Sequence, residues 1–254
     1  MTQLNFVTWD RLLRTYVDDR GRVAYGRWQQ ESLPELEQWL VDMSRVNLEG
    51  LDKGGAIATL LNLYNALTIR QVLHQYPIPS IRPKFLGIPN WLAFLRFFTQ
   101  TVYTLNGQSL SLNNLEHDIL RQQFSEPRIH FALVCASIGC PLLRPEAYGS
   151  HRLTAQLEDD CHRFINNPDK VRYDADSQTL YCSKIFKWYK ADFLTVASSI
   201  PDFCDRYYTA APLPASVTVA YLPYSWQLNG HPHKIASARD QEHPHPTKNQ
   251  SPDK

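Results

Sequence analysis

Apolar positions recur at helical spacing through most of the first hundred residues. Leu4, Val7, Trp9, Leu12, Leu13, Tyr16 and Val17 predict an opening amphipathic helix, ended by the turn residues Asp18-Asp19-Arg20-Gly21. Leu36, Trp39, Leu40 and Met43 predict a second, with Ser32 as cap and Pro34 in the first turn. Residues 55–76 form a strongly apolar helical stretch interrupted by Asn62, Tyr64 and Asn65. The prolines at 77, 79, 83 and 89 predict a surface loop over 77–90 that could wall a cleft. Trp91 to Phe98 reads as core, with a period that does not separate helix from strand.

Asn106-Gly107 between Thr101-Val102-Tyr103-Thr104-Leu105 and Gln108-Ser109-Leu110 predicts a hairpin with a tight primed turn. Ser111 or Asn113 then caps a helix carrying Leu115, Glu116, His117, Ile119 and Leu120. The neighbours Glu116 and His117 stand about 100° apart on a helix, so one of them at most is expected to face a given loop. Residues 129–134 are mostly apolar, like a buried strand, and run into a loop with Cys135, Ser137, Gly139, Cys140 and Pro141.

Beyond that loop, Leu153, Leu157, Cys161 and Phe164 share a helical face, and Cys161 is expected in the core. Val171–Tyr173 and Thr179–Cys182 predict a second hairpin, with Cys182 a strand residue. Helices are expected from Ser183 and from Pro201 to Tyr208, the latter holding Cys204, and a last strand over Val217–Leu222. From His231 onward the chain has almost nothing to bury. A disordered polar tail is expected over 231–254, where His231, His233, His243 and His245 offer weak metal donors.

The sum is one α+β domain over residues 1–230. Its helical N-terminal half is expected to pack on a small, mostly antiparallel sheet made of the two hairpins and the 129–134 strand. With 43% apolar residues in 254, a substantial core is available. Twenty-six Lys and Arg against twenty-five Asp and Glu leave +1, so no overall field points to nucleic acid or to a membrane surface. Five irregularly spaced cysteines suggest reduced thiols, and the start lacks a secretory pattern, so a soluble, cytoplasmic protein is expected. No phosphate loop or Gly-x-Ser-x-Gly elbow occurs, and no cofactor is implied.

The chemistry that the residues suggest centres on the cysteine loop. A cysteine nucleophile needs its thiolate, hence a base or a positive environment nearby. Cys140 is favoured, because it lies past Ser137 and Gly139 among free backbone N–H groups, whereas strand alternation puts Cys135 on the Ile129, Phe131 and Leu133 face. His130 or His117 would be the base and Glu116 the group that orients the imidazole. His130 is as readily a satisfied core histidine, and Asn62 and Asn65 either bond a neighbouring loop backbone or line the site.

Four ordered blocks resemble one family: Asn62-Leu63-Tyr64-Asn65-Ala66-Leu67-Thr68; Leu115-Glu116-His117 with Leu120-Arg121; Arg128 through Pro141; and Ser183-Lys184-Ile185-Phe186-Lys187-Trp188-Tyr189 with Asp192-Phe193. The chain is identified as similar, over roughly residues 8–229, to the family known as domain of unknown function 547. Thr59-Leu60-Leu61 departs from the aromatic pair and Ile usual before the first block. The resemblance implies thiol-hydrolase-like chemistry. By motif match, Asn62, Asn65, Ser137 and Lys184 would bind substrate or stabilise developing negative charge. The expected activity is a thiol-dependent hydrolase or transferase acting on an amide or thioester of a small molecule or peptide. Two alternatives stand beside it: zinc held by His130, Cys135, Cys140 and His117 or His151, and a non-catalytic interaction module using Phe186, Trp188 and Tyr189.

Overall fold

A computed structural model of the chain describes residues 4–214 and 216–231. Its fold is α+β, with a helical N-terminal region and small sheets. Residues 232–254 of the expected tail, with His233, His243 and His245, lie outside the described residues.

Helix α1 (Val7–Tyr16) buries Trp9, Leu12, Leu13 and Tyr16 of the stripe its spacing predicts and leaves Val7 exposed in the first turn. Helix α2 (Tyr25–Met43) starts earlier than its cap signals suggest, because Tyr25 and Trp28 are already buried. The backbone leaves helical geometry at Ser32 (φ −145°), so the Ser32 and Pro34 signals mark a break between two helical parts. Helix α3 (Lys53–Gln75), capped by Asp52 on the Gly55 N–H at 2.6 Å, is buried on nearly every side. An almost uniformly apolar helix is stable only in such a position. It is the post around which α1, α2 and the cysteine loop are arranged.

The 77–90 segment is mainly loop, with a minimal hairpin of β1 (Lys84–Phe85) and β2 (Ile88–Pro89). Helix α4 (Trp91–Thr99) settles the ambiguous run as helix. It buries Phe94 and Phe97 but leaves Trp91, Leu92 and Leu95 exposed, so only one face is core. Strands β3 (Tyr103–Leu105) and β4 (Gln108–Leu110) pair around Asn106 (φ +47°) and Gly107 (φ +82°), the two left-handed residues a primed turn requires. Ser111 Oγ then accepts from the Asn114 N–H at 3.1 Å while Asn114 Oδ1 accepts from the Ser111 N–H at 3.1 Å, a reciprocal cap. The helix it starts is π-helical over Asn114–Leu120, then α-helical as α5 (Arg121–Gln123).

The 129–134 run is not a strand. Glu126 accepts from the Arg128 N–H and Pro127 occupies the first turn of a 3₁₀ helix, Pro127–Phe131. The backbone that follows pairs with a side chain. Asn65 on α3 donates from Nδ2 to the Ala132 carbonyl at 3.0 Å and accepts at Oδ1 from the Val134 N–H at 3.0 Å, which satisfies both groups without a neighbouring strand. The expected single sheet is consequently absent among the described residues. The first hairpin stands alone, and β5 (Val171–Asp174) pairs antiparallel with β6 (Thr179–Cys182), which pairs in parallel with β7 (Thr218–Tyr221).

Helix α6 (Leu153–Ile165) and the short helices α7 (Lys184–Trp188), α8 (Lys190–Phe193) and α9 (Ile200–Asp205) enclose a second apolar cluster. Phe131 sits in it against Phe164, Phe186, Phe193 and Phe203, and so do the buried Cys161, Cys182 and Cys204. Three of the five thiols are thereby removed from any chemistry at the cysteine loop.

Candidate functional site

The cysteine loop is held from two sides. Asn65 fixes its entry. The segment after β7 fixes its far side: Ile138 donates to Gln227 O and Gly139 to Ser225 O, both at 2.8 Å, and Asn229 donates to Ala136 O at 3.2 Å. Ala136 adopts φ +59°, a left-handed conformation that a residue with a Cβ rarely takes and that such paired surroundings can enforce.

That pairing delivers Tyr224 to the thiols. The Cys140 sulfur lies 3.1 Å from the Cys135 backbone nitrogen, which donates to it, and 3.1 Å from the Tyr224 hydroxyl. Ser137 Oγ stands 3.3 Å from the same sulfur and 3.2 Å from the Tyr224 oxygen, supporting whichever of the two its single proton reaches. The Cys135 sulfur is 3.5 Å from Tyr224 and 3.6 Å from Ser137. Burial pushes the Cys140 thiol up, but hydrogen bonding from the Cys135 thiol, Ser137 and Tyr224 outweighs it and brings Cys140 down to about 6. Cys135 is pushed up, first by its hydrogen bond to Cys140 and then by burial. Of the two, Cys140 holds the negative charge.

The side chains are arranged opposite to what strand alternation suggests. Cys140 is 3% exposed, whereas Cys135 is half-buried. Both line a cleft of about 580 Å³, along with Glu116, His117, His130 and Lys184. Glu116 and His117 therefore share one cleft, against the expectation that one at most would face it. The π-helical geometry, closed by the Arg121 N–H on Glu116 O, winds less per residue than an α-helix and brings neighbours closer together.

His130 is buried and its Nε2 lies 2.8 Å from Asp192 Oδ2. Its ring stacks on Tyr189 with centroids 3.8 Å apart. Burial lowers its proton affinity more than Asp192 raises it, so it is neutral at pH 7, with Nε2–H donating to the carboxylate. Asp192 also takes a two-pronged contact from Arg121 at 2.7 and 2.9 Å, and this first, then His130, holds it well below the usual carboxylate range. Asp192, and not Glu116, orients the imidazole. Glu116 accepts instead from the Tyr64 hydroxyl at 3.1 Å and from the Tyr189 hydroxyl, so it makes no hydrogen bond to His130 and acts on that imidazole by its charge alone. His117 Nδ1 accepts from Arg121 at 2.8 Å. Among the described residues neither imidazole is hydrogen-bonded to either sulfur.

Asn62 and Asn65 do not line this cleft. Asn62 accepts from Trp9 Nε1 at 3.1 Å and exchanges bonds of 2.9 Å with both backbone groups of Tyr148. The two amides hold backbone, the structural of their two expected roles, because a polar side chain buried on α3 must find partners there. Ser137 is buried and acts on Cys140 and Tyr224, whereas Lys184 reaches the cleft. The zinc donor set is not assembled: no group of three or more His, Cys, Asp or Glu converges among the described residues.

Two participants carried no local signal. Tyr224 is far along the chain and arrives through backbone pairing. Lys170 is buried behind the loop, where Nζ donates to Ile138 O at 2.5 Å and stands close enough to Cys140 for the two charges to attract. A Cβ on Gly139 would stand 2.7 Å from the Tyr224 ring and 2.8 Å from Ser225 O. Gly139→Ala is expected to shift Tyr224 and lengthen, without breaking, its bond to the sulfur, raising the Cys140 alkylation midpoint by roughly half a pH unit, less than loss of a whole charged hydrogen bond implies.

Residues 48–165 match the family model described as "Protein of unknown function, DUF547". That stretch is a DUF547 domain. The match contains Asn62, Asn65, Glu116, His117, His130, Cys135, Ser137 and Cys140, and ends before Lys170, Lys184, Asp192 and Tyr224. A third of these twelve residues are therefore supplied by chain beyond the matched DUF547 stretch. No curated protein and no solved structure matches the chain. Among the described residues no helix is long and apolar enough to cross a membrane.

Proposed function

We propose that the cleft carries out thiol-dependent acyl transfer or hydrolysis, with Cys140 as nucleophile and a thioester as substrate. The observation that supports this most is the convergence of the Cys135 N–H and the Tyr224 hydroxyl on the Cys140 sulfur beside a neutral imidazole–carboxylate pair. Donors aimed at a sulfur stabilise its thiolate without a base in contact, so His130 is free for a later proton transfer.

The Cys140 thiolate attacks the carbonyl carbon, the bond to the leaving sulfur breaks, and the released thiolate takes a proton from water. Water then attacks the acyl-enzyme and passes a proton to the free Nδ1 of His130, which gives it up to solvent, neutralising the hydroxide left when the first thiolate was protonated. The carboxylic acid departs as the Cys140 thiolate re-forms. A thioester suits this site better than an amide. An amine must be protonated to leave, and a neutral His130 whose one N–H is given to Asp192 is a poor acid. Tyr224 and Lys184 are the groups that follow the charge from sulfur to oxyanion. Phe94, Phe98, Trp188 and Trp226 offer an apolar wall to the acyl group.

The test is a series of acyl-N-acetylcysteamine thioesters, acetyl to dodecanoyl and benzoyl, followed by loss of thioester absorbance and by intact mass. Wild type is expected to turn over, Cys140→Ala to be inactive, and His130→Gln to accumulate the acyl-enzyme on Cys140. Equal turnover in Cys140→Ala, or no acylation of Cys140 with any member, defeats the reading.

A further inference from the structure

We infer that α4 and the β1–β2 hairpin form a docking face for an anionic phospholipid surface. The inference goes beyond the acyl-transfer reading and does not rest on it. Helix α4 carries apolar side chains outside its buried Phe94 and Phe97 face and lies at the surface, a combination that leaves an apolar face without a partner. Trp91 is 56% exposed, Leu92 80% and Leu95 54%, and the adjoining hairpin adds Leu86 at 86% and Ile88 at 71%. These are five of the eleven large exposed apolar side chains among the described residues, all within residues 86–95. Leu86 also takes a left-handed φ of +50° at the hairpin tip, where glycine or asparagine would be unstrained. The backbone accepts strain there and presents a leucine to solvent.

Charge identifies the occupant. From Gln71 to Leu115 the chain contains no Asp or Glu, although the whole chain is nearly balanced. The charged side chains in that span are Arg82, Lys84 and Arg96, and none of them enters an ion pair among the described residues. Arg82 lies over the Trp91 ring at 4.5 Å. Exposed leucines, a tryptophan at the rim and unpaired cations are the composition that seats a helix in the headgroup region of an anionic bilayer. A net charge of +1 hides this because the acids lie outside that span of the sequence. A second copy of the chain fits less well, since a two-fold contact would bring the three cations against their own copies. Residues 232–254 offer one large apolar side chain, Ile235, to cover the patch. Trp91 and Leu95 also line the cleft, so docking places its mouth at the membrane surface.

The experiment is vesicle sedimentation with the full chain, comparing phosphatidylglycerol–phosphatidylcholine (1:1) with pure phosphatidylcholine at low and high salt, plus sedimentation velocity without lipid. Binding to the anionic vesicles, weakened by salt, is expected. Leu92→Asp/Leu95→Asp should abolish it, and Lys84→Gln/Arg96→Gln should weaken it about 25-fold, at about fivefold per basic residue. These positions are exposed, and circular dichroism will show that the variants fold. No binding to the anionic vesicles overturns the inference. So does equal, salt-independent binding to both compositions, or binding that survives Leu92→Asp/Leu95→Asp. Self-association lost in that variant, without vesicle binding, assigns the face to a second copy and also overturns it. Alkylation of Cys140 is read separately, so failure here leaves the thiol chemistry standing.

Discussion

Iodoacetamide is expected to modify Cys140 ahead of the other four cysteines, with a rate that rises through a midpoint near pH 6 and is level above pH 7. The informative condition is acidic. At pH 5.5 a thiol of pKa about 6 is roughly a quarter ionised, against about 0.1% for a free thiol near 8.5. A weaker base is also a weaker nucleophile, which returns about tenfold of that advantage. The net expectation is a rate about twentyfold above that of a model thiol at pH 5.5, shrinking to a few-fold at pH 7. Limited access to the 3% exposed Cys140 scales the rate but leaves the midpoint unchanged, so the midpoint is the quantity to measure.

Variants separate the causes. The Tyr224 hydroxyl donates to a charged sulfur, a bond of about 1.5–3 kcal/mol, so Tyr224→Phe should raise the midpoint by about one to two pH units. His130→Gln should leave it near 6, because no hydrogen bond joins that imidazole to either sulfur. If the first cysteine modified is not Cys140, or if the wild-type midpoint lies at 8.5 or above, the thiolate assignment fails. A midpoint that moves in His130→Gln as far as in Tyr224→Phe would restore the imidazole as the activating base.

The elements that were legible in sequence are those whose signals are local. The Asn106-Gly107 hairpin, the α6 stripe through Cys161 and the Ser111 cap each depend on residues within a few positions of one another. The 129–134 run misled because a short apolar segment has no period of its own. What decided its conformation was Asn65, nearly seventy residues earlier, supplying the bonds that a neighbouring strand would have made. The burial of the two thiols reversed for the same reason, since alternation applies only to a strand. Cys140, His130, Ser137 and Lys184 do meet at the expected loop or its cleft. Their organisers were illegible: Asp192 and Tyr224 reach the site by tertiary packing, and Glu116 accepts from Tyr189 in place of an imidazole. Residue type proposed the chemistry, and long-range backbone pairing determined which residue serves which partner.

Asn65→Leu should destabilise the protein by about 4 kcal/mol and disturb the thiol as well. The side chain is 2% exposed and nearly isosteric with leucine, so little cavity is made. The loss is of two buried backbone partners, the Ala132 carbonyl and the Val134 N–H, each costing about 1–3 kcal/mol when left unpaired. Denaturant unfolding measures the sum, and a change below about 1 kcal/mol would show that the loop finds other partners. Asn62→Leu is the control. It strands the Trp9 indole and both backbone groups of Tyr148, so its stability loss should be at least as large. Asn62 does not touch the entry to the cysteine loop, however, and its variant should keep the alkylation midpoint near pH 6. Asn65 sets where Val134 ends and Cys135 begins, and the Cys135 N–H is one of the donors on the Cys140 sulfur. Its variant should therefore raise the midpoint as it lowers stability. Two amides three residues apart on α3, equal in chemistry, are thus separable by one titration: only Asn65 couples the buried helix to the charge on Cys140.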